Sequence, residues 1–103
     1  MKVTFSPAAE TDLTDVAIFI AQDNPARALT FVDQLEEKCG ALGRAAGIGT
    51  RRPELGDSIC MMPCGRYLIF YRELNTSVRI ERIMHSARDI GGDDFEAGNP
   101  PGG

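Results

Sequence analysis

Cys64-Gly65-Arg66-Tyr67-Leu68-Ile69-Phe70-Tyr71-Arg72 is the stretch whose reading decides the fold. It is aromatic and β-branched on both faces, as a central strand covered on two sides should be. Tyr67, Ile69 and Tyr71 share one face by the two-residue period, and Leu68 and Phe70 share the other. After a polar break at Glu73-Leu74-Asn75-Thr76, a second run follows from Ser77 to Asp89. There Val78, Ile80 and Ile83 stand among Arg79, Glu81 and Arg82, as in a strand with one wetter face. The pair reads as an antiparallel hairpin. Function is expected on or beside it.

Working outward, Ser58-Ile59-Cys60-Met61-Met62 reads as a third strand. Pro63, with no N–H to give a ladder, closes it. Residues 48–57 read as a loop through Arg51-Arg52-Pro53-Glu54-Leu55-Gly56, and the glycines at 40, 43, 47 and 49 end a helix near 43–46. That helix carries Ala28, Val32, Leu35, Cys39 and Leu42 on one face, widened by Phe31. Asp23-Asn24-Pro25 caps its start and stops a preceding helix, whose stripe is Ala9, Leu13, Val16, Ala17 and Ile20. Ser6-Pro7 starts that first helix with a hydroxyl cap and a proline at the first position. Glu10, Asp12 and Asp15 lie toward the positive end of its dipole. So short a link makes the helices an antiparallel hairpin. Lys2-Val3-Thr4-Phe5 alternates as an opening strand. The expected class is α+β: an N-terminal strand, an antiparallel helical hairpin, then a three-stranded antiparallel sheet onto which the hairpin packs. Residues 1–90 form the domain, and residues 91–103, acidic and rich in Gly and Pro, form a disordered tail.

Composition removes several classes. At 103 residues there is room for one core. No apolar run reaches the roughly 18 residues of a membrane span, and the first residues lack a signal-peptide core, so a cytoplasmic protein is expected. Cys39, Cys60 and Cys64 have no metal-type spacing and read as free thiols in a reducing compartment. Net charge is −4, unevenly spread. Residues 1–43 hold seven acids and three bases, residues 44–88 eight bases and four acids, and residues 89–103 four acids and no base. A basic sheet half between acidic segments suggests a partner that meets it. For any single Arg, the plainer reading is that it keeps an exposed sheet soluble.

No strong catalytic motif is present: no phosphate-cradling loop, no HExxH and no nucleophile elbow. The lone His, His85, ends the last strand near Arg82 and Arg88, with Tyr67 and Tyr71 on the strand beside it. Such a cluster could move protons and stabilise charge on a phosphate. With no base partner visible for His85, the plainer reading is that His85 and Arg88 hold the strand end through hydrogen bonds. Glu36-Glu37 and Asp93-Asp94 are adjacent in sequence and read as solvated. No residue is assigned as catalytic, and no metal or cofactor is expected.

The elements and their residues together resemble the ParE toxins of the RelE/ParE superfamily of type II toxin–antitoxin modules. The resemblance is carried by Ser6-Pro7-Ala8-Ala9, Asp12-Leu13, Asn24-Pro25 with Ala28 and Phe31, and Arg52-Pro53-Glu54-Leu55. It continues through Gly65-Arg66-Tyr67 to Arg72 and through Ile80 to Ile90, a strand ending in a His-x-x-Arg-Asp signature. It covers about residues 1–90. It departs at Cys60, where family members usually carry Arg, and at the apolar Met61-Met62. The resemblance implies a bacterial toxin that inhibits DNA gyrase without being an enzyme. A ParD-type antitoxin would neutralise it in a hetero-oligomer, a heterotetramer or larger. No membrane contact and no sequence-specific DNA binding by this chain alone are expected. The RelE-like alternative is a ribosome-dependent mRNA endonuclease using His85, Arg82 and Arg88. The acidic net charge and acidic C-terminus disfavour entry into an anionic ribosomal site. A third alternative is an inactive toxin fold that only binds antitoxin. The expected antitoxin- or target-binding residues are Arg66, Arg72, Arg79, Arg82, His85 and Arg88, met by acidic groups, with apolar anchors in the helix–sheet groove.

Overall fold

Both helices begin as their caps dictate. In the computed structural model, which describes residues 1–95, the Ser6 hydroxyl accepts from the Ala9 N–H at 3.0 Å and opens α1 (Pro7–Asp23). Asn24 Oδ1 accepts from the Arg27 N–H at 3.1 Å and opens α2 (Pro25–Arg44). The Asn24 N–H also donates to the Ile20 carbonyl, so one residue closes the first helix and starts the second. The chain reverses there, and the two helices lie on one face of a sheet.

That sheet has five strands, in the order β1-β5-β4-β3-β2. They are β1 (Lys2–Phe5), β2 (Thr50–Arg51), β3 (Cys60–Cys64), β4 (Tyr67–Glu73) and β5 (Ser77–His85). The three antiparallel strands β3, β4 and β5 are the expected ones. Two more join them. β1 adds to the β5 edge in parallel, Val3 beside Val78 and Phe5 beside Ile80. The two-residue β2 pairs with Met61 and Cys60, inside what reads as loop in the sequence. β3 also starts later than expected, at Cys60, and contains Pro63. The proline is tolerated because β2 covers only the first two residues of β3, leaving its outer edge at Pro63 unpaired and exposed. The β3–β4 turn is Gly65-Arg66, with Gly65 at φ +60°, the first position of a two-residue turn where only Gly avoids strain.

β4 is covered on both sides, as its composition requires. Tyr67, Ile69 and Tyr71 join Phe31, Leu35, Leu42, Val78, Ile80 and Ile83 in the core under the helices. Phe70 joins Leu55, Ile59 and Met84 in a second, smaller core on the opposite face. Each large side chain fully buried there contributes about 1.5–3 kcal/mol. Tyr71 also does polar work: its hydroxyl donates to the Ala46 carbonyl at 2.6 Å and accepts from the Gly49 N–H at 3.0 Å. A Cβ on Gly49 would fall on that hydroxyl, so the loop after α2 can close only with glycine there.

The second core includes residues expected to be tail. Gly91–Phe95 fold back, and Phe95 meets Phe70 edge to face with centroids 5.1 Å apart. Burying Phe95 and bonding Asp94 offset the ordering of these residues, so structure does not end at Gly91. The expected disorder of residues 96–103 lies outside the described residues.

Candidate functional site

A groove opens at the tip of the helical hairpin, where α1 and α2 meet the β3–β4 turn and the end of β5. Its volume is about 780 Å³, within the range of ligand clefts. Phe19 and Ile20 come from α1, Arg27 and Phe31 from α2, Arg66 and Tyr67 from the turn, and His85 from the strand end. The helices' N- and C-terminal caps position this wall, because Asn24 fixes the chain reversal that places Phe19 and Arg27 on one rim. Tyr67 forms the floor, its ring 5.1 Å from Phe31 and 5.2 Å from His85. Asp23 contributes one acid.

His85 Nδ1 accepts from the Ala87 N–H at 3.0 Å, which leaves Nε2 to carry the proton of the neutral ring. Among the described residues no carboxylate bonds to the imidazole. The ring can present a donor to the groove, but no partner is in place to make it a general base.

Of the six basic residues expected to face a partner, the groove gathers Arg66 and His85. The other four are engaged within the fold. Arg72 is buried: its Nη1 pairs with Glu81, and its Nε donates to the Asp57 carbonyl at 2.8 Å. Arg79, half-buried, pairs with the same Glu81 at 3.1 Å. Arg82 grips Asp12 on α1 with two bonds, Nε to Oδ2 at 2.6 Å and Nη2 to Oδ1 at 2.9 Å. The Ile83 N–H also donates to Asp12 Oδ2 at 3.0 Å, so this carboxylate satisfies the β5 edge where β1 ends. The Asp12 hydrogen bonds and charge hold the Arg82 guanidinium even more firmly protonated than usual. Arg88 pairs with Asp94 at 2.8 Å.

Residues that sequence reasoning did not single out complete the groove. Arg27 stands at the third position of α2, and its Nη2 lies 3.7 Å from where a Cβ on Gly65 would be, over the turn that carries Arg66. Phe19 is 67% exposed. Its signal was available: Phe19 lies off the apolar stripe of α1, where an aromatic has no core to enter. Among the described residues no group of three or more His, Cys, Asp or Glu could hold a metal, and no helix is long and apolar enough to cross a membrane.

The thiols are sorted by burial. Burial pushes Cys39 up to about 11, with Cys64 and Glu36 adding to the shift. Burial likewise raises Cys64, against the opposing charges of Lys38 and Arg27. Cys60 is half-exposed on β3. Neither buried thiol is set up as a nucleophile.

Residues 3–90 match the family described as the ParE toxin of type II toxin-antitoxin system, parDE. No curated protein matches the chain. Among solved structures, one described as the chromosomal ParDE TA system from P. aeruginosa superposes with a TM-score of 0.71 at 20% identity. The alignment covers 82% of this chain and 95% of that one, a likeness of fold.

Proposed function

The chain belongs to the ParE toxin family of type II toxin–antitoxin systems, and from that premise we propose that it is the toxin of such a module, inhibits DNA gyrase and is held inactive by a ParD-type antitoxin. The observation that carries this reading is the match to the family over residues 3–90. Two features of the site favour binding over bond cleavage. His85 is engaged by a backbone N–H and by the Tyr67 ring rather than by a carboxylate. Arg82, which an RNA-cleaving site would aim at a phosphate, is committed to Asp12. A net charge of −4 also opposes a long stay on a ribosome. The chain works in the cytoplasm on this reading, where gyrase is.

The test is genetic and then biochemical. Expressed alone, the chain arrests growth; expressed with the short gene beside its own, it does not, and the two products co-purify as a hetero-oligomer. Harmless expression without any partner would leave an inactive antitoxin-binding fold as the better reading.

A further inference from the structure

We propose that the groove at the hairpin tip is a receptor for an acidic peptide segment, taking one carboxylate between Arg27 and Arg66 and an aromatic or aliphatic side chain against Phe19, Phe31 and Tyr67. Four observations converge on it. The cleft, of about 780 Å³, is walled by the rings of Phe19, Phe31 and Tyr67. Phe19 stands mostly exposed on its rim, an apolar surface that no other described residue covers. Arg27 and Arg66 both line the cleft, Arg27 reaching over Gly65 and donating to Gln34 Oε1 at 3.5 Å, and neither has a carboxylate partner among the described residues. Arg72, Arg79, Arg82 and Arg88, by contrast, are matched to acids.

Charge decides the occupant. Two guanidiniums, with the His85 Nε2 donor beside them, call for an anion, and a carboxylate suits the bidentate fork of Arg. A polyanion fits poorly. Asp23 lines the same groove, and the helical half that forms its outer wall is net acidic, so a run of phosphates would meet repulsion at every flank. A protein segment with one or two acids beside an apolar anchor meets the basic centre and the aromatic wall without crossing the acidic rim. This rests on the antitoxin reading only for the identity of the partner. If expression of the chain arrests nothing and nothing co-purifies, that reading falls while peptide binding in the groove can still be measured.

The probe is a short capped peptide carrying one Glu beside one Phe, titrated into the full-length 15N-labelled chain and followed by backbone, Arg Nε and His ring resonances. Two companions are run in parallel: the same peptide with Gln in place of Glu, and inorganic phosphate. The Glu peptide is expected to shift Arg27, Arg66, Tyr67 and His85, and the Gln peptide to bind roughly tenfold more weakly, the difference between a charge-assisted and a neutral hydrogen bond. Arg66→Ala and Arg27→Ala should each weaken the Glu peptide several-fold. Arg51→Ala, on β2 away from the groove, should not. Arg66 is an exposed turn residue, so a spectrum of unchanged dispersion checks that its variant folds. Equal affinity for the Glu and Gln peptides, shifts lying outside the groove, or phosphate binding as tightly as the peptide would each overturn the proposal.

Discussion

Arg82→Met removes the charge of a residue in the signature strand while keeping much of its length and its apolar stem. Two roles for Arg82 predict opposite results. If it reaches a partner, the fold is indifferent to its loss. If it ties β5 to α1, as its two bonds to Asp12 at 2.6 and 2.9 Å indicate, stability falls. Side-chain exposure is 20% for Arg82 and 13% for Asp12, so the pair is shielded but not fully desolvated. Breaking a fully buried pair costs about 3–5 kcal/mol and an exposed one less than 1. The expected loss for this intermediate case is about 2 kcal/mol, a large share of the 5–15 kcal/mol that holds a domain of this size. It would lower Tm by roughly 10 °C. Asp12→Asn keeps one oxygen to accept from the Ile83 N–H while removing the charge and one of the two acceptors of Arg82, so the cycle with the double variant measures the coupling of the pair. Urea denaturation of wild type, both singles and the double should give a coupling of about 1 kcal/mol or more. Single variants within 0.5 kcal/mol of wild type, with no coupling, would refute the structural role and return Arg82 to the list of partner-facing residues.

Three further outcomes are expected. Tyr71→Phe leaves the Gly49 N–H and the Ala46 carbonyl without their buried partner, costing about 1–3 kcal/mol, and the Gly49 amide should exchange faster in deuterium; unchanged exchange would contradict it. Phe95→Ala strips the edge-to-face contact with Phe70 and should lower stability by about 1–2 kcal/mol in urea, whereas no effect would mean that residues 91–95 contribute nothing to the fold. Stability should fall as pH rises from about 9 toward 11. Native Cys39 holds its proton up to about 11 while the unfolded thiol, at its ordinary value of 9.0, has released it, so stability that is intact below 9 is lost progressively up to about 11. Cys39→Ala should flatten that part of the pH–stability curve, and an unaltered slope would argue against it.

Much of the fold was legible because local chemistry and tertiary structure agree. Ser6-Pro7 and Asn24-Pro25 start helices where their caps can bond, and the two apolar faces of Tyr67–Arg72 each found a core. What escaped was set by long-range pairing. Nothing within Lys2–Phe5 says that it lies parallel beside Ser77–Ile80. One signal was present and unread: the apolar positions of β5 step from Val78 to Ile80 by two, then to Ile83 by three. The register shifts between Phe70 and Tyr71, so that Tyr71 faces Ile80 and Phe70 faces Arg82. Glu81 is the extra residue of a bulge, which keeps Ile83 on the helix side. The same bulge buries Glu81 against Arg72 and Arg79, and this explains why counting arginines overstated the free basic surface. A charge seen in sequence carries no mark of the partner that three-dimensional proximity will give it. Arg27 shows the converse. It sits among acids in the first 43 residues, yet the hairpin tip brings it over Gly65, into the groove that Arg66 also lines.

The most direct measurement is the supercoiling of relaxed plasmid by DNA gyrase at rising concentrations of the purified chain, read beside primer extension on an mRNA translated with the same protein present. Loss of supercoiling, or accumulation of gyrase-cleaved DNA, with the transcript left whole is the predicted result. Undiminished supercoiling together with transcript cuts that vanish in His85→Gln would contradict it, and would make this chain a nuclease rather than a gyrase-directed toxin.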